Sequence, residues 1–487
     1  MVNGVIGAIK SLFERMFPNN EKKSSSQRVL PFVFSDITVD ERDFVYTATD
    51  SATLAQIKKL SPGEGNNILD SEEVNFTDDE VNSTYNNGKM LNQTIIGLEV
   101  DENGIIYALD SAYGRVFVYD PECRMITAFG GGMGSGTQKG TFAGACAIAL
   151  QGSSILVADK INNNITVFSC NEYGRRVLGL VKQTIDGDYA ESKAGWEQVI
   201  KEDRNLQLAY TGLARAYLSD GNYEAAMDMA LEGYDRETYA LAFEYYRGEW
   251  VQENFGLLFG GAILVFALVL AAAIVVSKKK VRLIKNYELS LMLRTAVHPG
   301  VSFTEIKEKH RGSVLLAVIL LLIFYVSSVA NVILGGFLFT AYDPGSFNSL
   351  WVFVQSAGLV LLWVAANWLV CTLAGGKGRM KEIFIVTCYS LIPLIIGNII
   401  QTVMSNFLLP AEGSILSILS AAAVIYALLV FVIGMLHIHD FTMSRFIGTS
   451  ILTVLGMAAI VFLIVLIGIL LQQLGGFIAS IFIELVM

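Results

Sequence analysis

The sequence predicts a membrane protein in which a β-sheet domain and a short helical neck stand in front of six transmembrane helices. Three observations carry that prediction. Beyond Phe255 every lysine and arginine falls in 278–311, in 377–381 or at Arg445, and the long runs between them hold none. An apolar run of about 20 residues is enough to cross a bilayer, and Lys and Arg near span ends are retained on the cytoplasmic side. Ahead of these runs the period is that of strands up to about residue 180 and that of helices after it.

Residues 1–30 read as an amphipathic helix and linker. Val2, Val5, Ile6, Ile9, Phe13 and Phe17 form a stripe interrupted by Lys10 and Arg15. That stripe is not the continuous apolar core of a secretory signal. The expectation is a fragment whose export signal and earlier β-units lie upstream, with an unusual export route as the alternative, and the stripe packed between units.

Residues 31–182 carry a recurring pattern. SDITVDERDFVYTATD ends at Asp50, GLEVDENGIIYALD at Asp110 and ACAIALQGSSILVAD at Asp159, each followed by a further apolar strand. Units spaced about 50 to 60 residues apart are those of stacked propeller blades. Three blades leave raw sheet edges, so an incomplete outer β-propeller is expected. The aspartates recur once per unit, as structural turn residues do.

Residues 183–252 are the helical neck. Gly187-Asp188-Tyr189 returns as Gly221-Asn222-Tyr223, a step of 34 positions, with Ala214, Tyr217 and Ala226 in a small-and-aromatic register between and after them. Tyr217 and Tyr223 are the neck residues expected to meet a partner.

The first span is 255–276, followed by Lys278, Lys279, Lys280, Arg282 and Lys285 in a cytoplasmic linker, 277–312. Five more runs, at 313–340, 348–373, 383–404, 414–436 and 447–471, make a five-span domain over 313–487. Alternation places Lys377, Arg379, Lys381 and Arg445 inside and both the N-terminal domain and the C-terminus outside a cell membrane. These four basic residues are the second set expected to contact a partner. Ile478–Met487 is too short to cross and is expected at the outer interface. Asn367 and Trp368 end one span, Gly376 and Gly378 flank Lys377 in a tight turn, and Pro393 lies within an apolar run, where it frees a carbonyl.

Several chemistries are disfavoured. A net charge of −10 gives no basic footprint for nucleic acid. Five cysteines without Cys-x-x-Cys argue against a disulfide scaffold or thiolate metal site. His437, His439 and Asp440 are the weak metal candidates, but residues two apart on a helix do not converge. The Gly-rich 130–141 segment lacks the order of a phosphate loop. No catalytic set can be assembled and no cofactor is implied, so an enzyme is not expected. Span midplanes hold no Asp, Glu, Lys or Arg, whereas ion-coupled pathways use such groups. Asn331, Gln355, Asn367, Asn398 and Gln401 remain for bonds between helices.

On these motifs the chain resembles several families. Asp101, Gly104, Tyr107 and Asp110 match the core of NHL-type propeller blades over about 150 residues. The neck is similar to tetratricopeptide repeats. Residues 295–487 resemble the bacterial branch of the Yip family, five-span proteins related to the Ypt/Rab-interacting proteins of eukaryotes. Tyr389-Ser390-Leu391-x-Pro393 matches the family's G-Y-S-x-x-P element with Cys388 in place of its glycine. The eukaryotic D-L-Y-G-P motif is replaced by His298-Pro299-Gly300, so Rab binding is not carried over. The resemblance implies a Yip-type bundle for the last five spans. The whole order is similar to that of Gram-positive bacterial proteins, and implies an accessory role beside a carbohydrate ABC permease. A bundle acting as a transporter or channel is the alternative, and a propeller hydrolase or lactonase a further one.

Overall fold

The computed structural model describes residues 34–49, 57–63, 67–69, 85–86, 89–90, 94–131, 138–279, 286–340 and 347–486. The N-terminal stripe, Asp50, and Lys280, Arg282 and Lys285 lie outside them. The chain divides into two compact units, Met1–Gly221 and Asn222–Met487.

The first unit begins with antiparallel sheets whose strands follow chain order. β1 (Phe34–Val39), β2 (Val45–Thr49) and β3 (Ile57–Leu60) form one. After a two-residue hairpin, β4 (Tyr85–Asn86) and β5 (Lys89–Met90), comes a four-stranded sheet of β6 (Ile95–Val100), β7 (Ile106–Asp110), β8 (Arg115–Tyr119) and β9 (Met125–Gly130). β10 (Ala145–Gln151), β11 (Ser154–Asp159) and β12 (Asn164–Ser169) form the last.

Aspartate chemistry sets the hairpins. The Asp40 carboxylate accepts from Arg42 N and Phe44 N, both at 2.9 Å, and Asp101 accepts from Asn103 N and Ile105 N at the same distance. Asp120 repeats the pattern with Glu122 N and Arg124 N. Three residues after each aspartate the backbone is left-handed, at Asp43, Gly104 and Cys123. Such Asx turns reverse a chain without further partners. Asp110 and Asp159 act differently, at strand ends: Asp110 accepts from Thr94 N and Tyr113 N, and Asp159 from Ala143 N, Gly144 N, Ile161 N and Asn162 N. Both are buried and spent on backbone amides.

The first strands of the sheets neighbour one another. Leu98 N donates to Asp36 Oδ2 at 2.7 Å and Ser35 Oγ to Ile95 O at 2.7 Å, joining β1 to β6. Gly97 on β6 is in contact with Ile148 on β10, which a Cβ would approach to 2.9 Å. Tyr46, Ile57, Ile95, Ile106, Phe117 and Tyr119 form one core beneath the first two sheets.

Helices begin at Glu172, ahead of the expected boundary at 183. α1 (Glu172–Asp186) is capped by Asn171, whose side chain accepts from Gly174 N, and stops at left-handed Gly187. α2 (Tyr189–Glu202) and α3 (Gln207–Ser219) complete this unit. Val177, Leu180, Val181 and Thr184 make the buried face of α1. Trp196 is buried against it and donates Nε1–H to Thr184 Oγ1 at 3.0 Å. Gly212 on α3 admits the Trp196 ring, since a Cβ there would stand 2.3 Å from Nε1. The recurring Gly-x-Tyr marks a repeated local event: Gly187 and Gly221 are both left-handed, and Tyr189 and Tyr223 each open a helix.

In the second unit α4 (Tyr223–Glu232) packs on α5 (Arg236–Lys279), a continuous helix of 44 residues. Then follow α6 (Tyr287–Val297), α7 (Pro299–Glu308), α8 (Val314–Ile333), α9 (Ser349–Leu373, with a π-turn at Val354–Gly358), α10 (Met380–Tyr389), α11 (Ile392–Ser405), α12 (Gly413–His439) and α13 (Met443–Val486).

Among the described residues five segments are long and apolar enough to cross a membrane: Val314–Ile333, Ser349–Leu373, Met380–Ser405, Pro410–His439 and Met443–Gly475. These are the last five of the six spans expected. Phe255–Val276 forms the C-terminal half of α5 and is not among them, and Ile478–Val486 continues α13 instead of forming a separate element.

Met380–Ser405 is the most buried of the five and the hub of the bundle. It is two helices. Pro393 lies inside this span, as expected, but in the first turn of α11, where it has no intrahelical hydrogen bond to remove. Polar residues tie α8 to α11: Asn331 Nδ2 donates to Thr402 Oγ1 at 3.1 Å and Asn398 Nδ2 to Ser327 Oγ at 3.3 Å. Gly336 N donates to Ser405 Oγ at 2.9 Å.

Candidate functional site

Of the residues singled out in the C-terminal half, Asn367, Gly376, Lys377, Gly378, His437, His439, Asp440 and Arg445 gather at one end of the bundle, where the turn 374–379 meets the end of α12. His437 and His439 lie on the last turn of α12, and left-handed Asp440 ends it. The two rings diverge. His437 Nδ1 bonds its own helix at Ile433 O, 2.7 Å away, while Lys307 Nζ donates to His437 O at 2.9 Å.

His439 is buried, with Nε2 3.0 Å from Asn367 Oδ1. Asn367 Nδ2 faces Thr453 Oγ1 at 3.3 Å. With that amide donating to Thr453, the Asn367 oxygen takes the proton of Nε2. One asparagine thereby joins α9, α12 and α13.

The glycine-rich turn closes over the His439 ring. A Cβ at Gly376 would stand 2.7 Å from His439 Nδ1 and 3.0 Å from Cys371 O, and one at Gly378 2.7 Å from Ile438 Cγ2. Gly375 is left-handed, φ 73°, which only glycine adopts at little cost. Phe441 stacks on His439 with centroids 5.1 Å apart, and the Arg445 guanidinium lies 4.9 Å from the Phe441 centroid.

Of the four basic residues expected to meet a partner, two are engaged locally. Lys377 Nζ pairs with Asp440 Oδ2 at 2.7 Å, holding the Asp440 carboxyl below its ordinary range, and Arg445 donates to Ala374 O. Arg379 and Lys381 are exposed. The Arg379 N–H donates to Glu382 Oε2 at 3.1 Å, and Glu382 Oε1 faces His310 Nδ1 at 3.2 Å.

The remaining marked residues are dispersed. Tyr389 is buried, and its hydroxyl accepts from Ser313 N at 3.2 Å, pinning the start of α8. Trp368 is exposed on the flank of α9. In the first unit Lys193 sits 4.3 Å over the Tyr217 ring, and in the second Tyr223 stacks on Tyr245 at 5.3 Å. Among the described residues no three His, Cys, Asp or Glu side chains are placed to hold a metal ion, and His437, His439 and Asp440 face different partners. Thr453, Phe441 and Glu382 belong to this end of the bundle without any motif that announces them.

At the opposite end α5 meets the loops. Arg247 donates to Glu412 Oε2 at 2.7 Å, to Glu412 Oε1 at 3.1 Å and to Phe407 O at 2.9 Å. Arg236 donates to Thr340 O at 2.6 Å, and Tyr239 stands edge-on to Phe337 at 5.1 Å.

Comparison with known proteins adds a domain. No curated protein matches the chain. Residues 293–482 match the model of the Yip1 domain, to which this region is similar, and the five apolar helices it holds are those of a multi-pass membrane protein.

Proposed function

We propose that the protein is a non-enzymatic membrane accessory or scaffold. The observation that carries this reading is the use made of the polar residues in the spans. Asn331, Asn398 and Thr402 bond α8 to α11, and Asn367, His439 and Thr453 bond α9, α12 and α13. Side chains that would solvate a moving ion or polar solute are spent on helix contacts, at about 0.6 kcal/mol each. That disfavours the transporter or channel reading.

In the fuller reading, the β-sheets are blades of a propeller outside the cell membrane, and α1–α4 are a tetratricopeptide-like neck. The second half of α5 is a sixth span. The basic end, with Lys377, Arg379, Lys381 and Arg445, faces the cytoplasm and leaves the C-terminus outside. A carbohydrate ABC permease is the partner implied by resemblance, with Tyr217, Tyr223 and the exposed Arg379 and Lys381 as first choices for contact.

Affinity purification from native membranes in mild detergent, with mass spectrometry of bound proteins, tests this. Near-stoichiometric recovery of a permease and its ATPase is expected. Recovery of the protein alone, with solute flux in liposomes that contain nothing else, would sink it.

A further inference from the structure

We infer that α6 and α7 form an interfacial hairpin whose corner is seated among lipid acyl chains at the basic end of the bundle. The two helices meet at His298-Pro299, and from Thr295 to Thr304 the chain carries no Asp, Glu, Lys or Arg. One face of the hairpin is fixed to the bundle: Leu291, Thr295, Ser302, Phe303 and Ile306 are fully or almost fully buried, and Gly434 on α12 admits the Phe303 ring.

The other face is uncovered and carries an apolar row, flanked by exposed Arg294 and His298. Leu293, Val297 and Val301 are 41%, 69% and 63% exposed, and they follow one another at four-residue steps. A contiguous exposed apolar row of this kind marks a surface that meets a membrane or a partner.

Depth decides the occupant. Tyr426 donates its hydroxyl to Ala296 O, the carbonyl at the end of α6, at 2.5 Å. Tyr426 is 13 residues from either end of α12 (Gly413–His439), so its Cα lies about 20 Å from each end at 1.5 Å per residue. Even with a phenol's length directed toward the basic end, Ala296 O stands well inside the level of His439. A carbonyl at the end of a helix has no partner within it, and in hydrocarbon such a group needs one from a neighbour. Tyr426 supplies it. The charged residues that flank the corner, Arg294 on one side and Glu308 and Lys309 on the other, are exposed. An element with this layout rests about 5–10 Å into the headgroup and acyl boundary.

The test uses the full chain with Cys146→Ser and Cys170→Ser, reconstituted in phosphatidylcholine nanodiscs so that both faces meet solvent whichever way the protein is oriented. Val297→Cys and Val301→Cys carry a bimane label, with Leu322→Cys as a span reference and Glu308→Cys as an aqueous one. Brominated lipid is expected to quench the labels at 297 and 301 by at least half as much as the label at 322, and to leave 308 unchanged. Tyr426→Phe, which keeps the ring and removes the donor, is expected to reduce quenching at 297. Quenching at 297 and 301 no greater than at 308 overturns the inference, whether water or a second protein covers the corner. This outcome is independent of whether a permease is recovered.

Discussion

His439 Nε2 and Asn367 Oδ1 stand 3.0 Å apart although 72 residues separate them in the chain. The bond closes the basic end of the bundle, because Asn367 also reaches Thr453 and the glycine turn rests on the His439 ring.

Asn367→Ala leaves Nε2 of a buried imidazole without its acceptor and Thr453 without its donor. A buried polar group stripped of its partner costs about 1–3 kcal/mol. Unfolding by SDS titration in mixed micelles should show a loss in that range, and the double variant Asn367→Ala with His439→Phe should lose less than the sum of the two single changes. Additive losses would mean that the two side chains do not act together.

Gly376→Ala and Gly378→Ala test the turn itself. The new methyl would approach His439 Nδ1 at 2.7 Å in the first case and Ile438 Cγ2 at 2.7 Å in the second. Overpacking of this kind costs about 1–3 kcal/mol. At Gly376 the carbonyl of Cys371 is also in the way, so removing the ring with His439→Ala should rescue Gly376→Ala incompletely. Midpoints of thermal unfolding in detergent measure both effects.

At the opposite end Gly336 brings α8 against α11. A Cβ there would fall 2.0 Å from Ser405 O, a backbone atom that cannot turn aside. Gly336→Ala should therefore cost about 3 kcal/mol or more. Ser405→Ala leaves the Gly336 N–H unbonded and should cost about 1–3 kcal/mol. The order of the two midpoints is the prediction, and a Gly336→Ala protein as stable as Ser405→Ala would show that the helices are not in close contact.

Much of this was legible in the sequence because it depends on local pattern. Apolar runs gave the last five spans, and the repeated Gly-x-Tyr marks two helix starts. The break at Ser390-Leu391, where α10 ends and α11 begins with Pro393 in its first turn, was missed because hydropathy does not show it. The helical start at Glu172 was missed because β12 and α1 are separated by only Cys170 and Asn171. A bond between helices was expected of Asn367, but its partners His439 and Thr453 were out of reach, because only packing brings the three together. The divergence of His437 and His439, by contrast, follows from helix geometry and was expected.

The last prediction concerns acid. Glu122, in the turn between β8 and β9, is held by both nitrogens of Arg215 on α3, at 2.8 and 2.7 Å, and by Arg124 NH2 at 2.8 Å. Burial alone would raise its carboxyl pKa, but Arg215 and Arg124 outweigh that and leave it below the ordinary value. A carboxyl depressed on folding contributes stability that is fully present above its unfolded pKa, about 4.3, and lost as pH falls through the lower folded value. The contact between the turn and α3 should therefore hold from pH 8 to pH 5 and weaken only below about pH 4. Thermal unfolding of the intact protein should show that acid-side drop, and Glu122→Gln should show a smaller one with lower stability at pH 7. If both proteins lose stability identically with falling pH, the Glu122 carboxylate is not part of what holds the turn against α3.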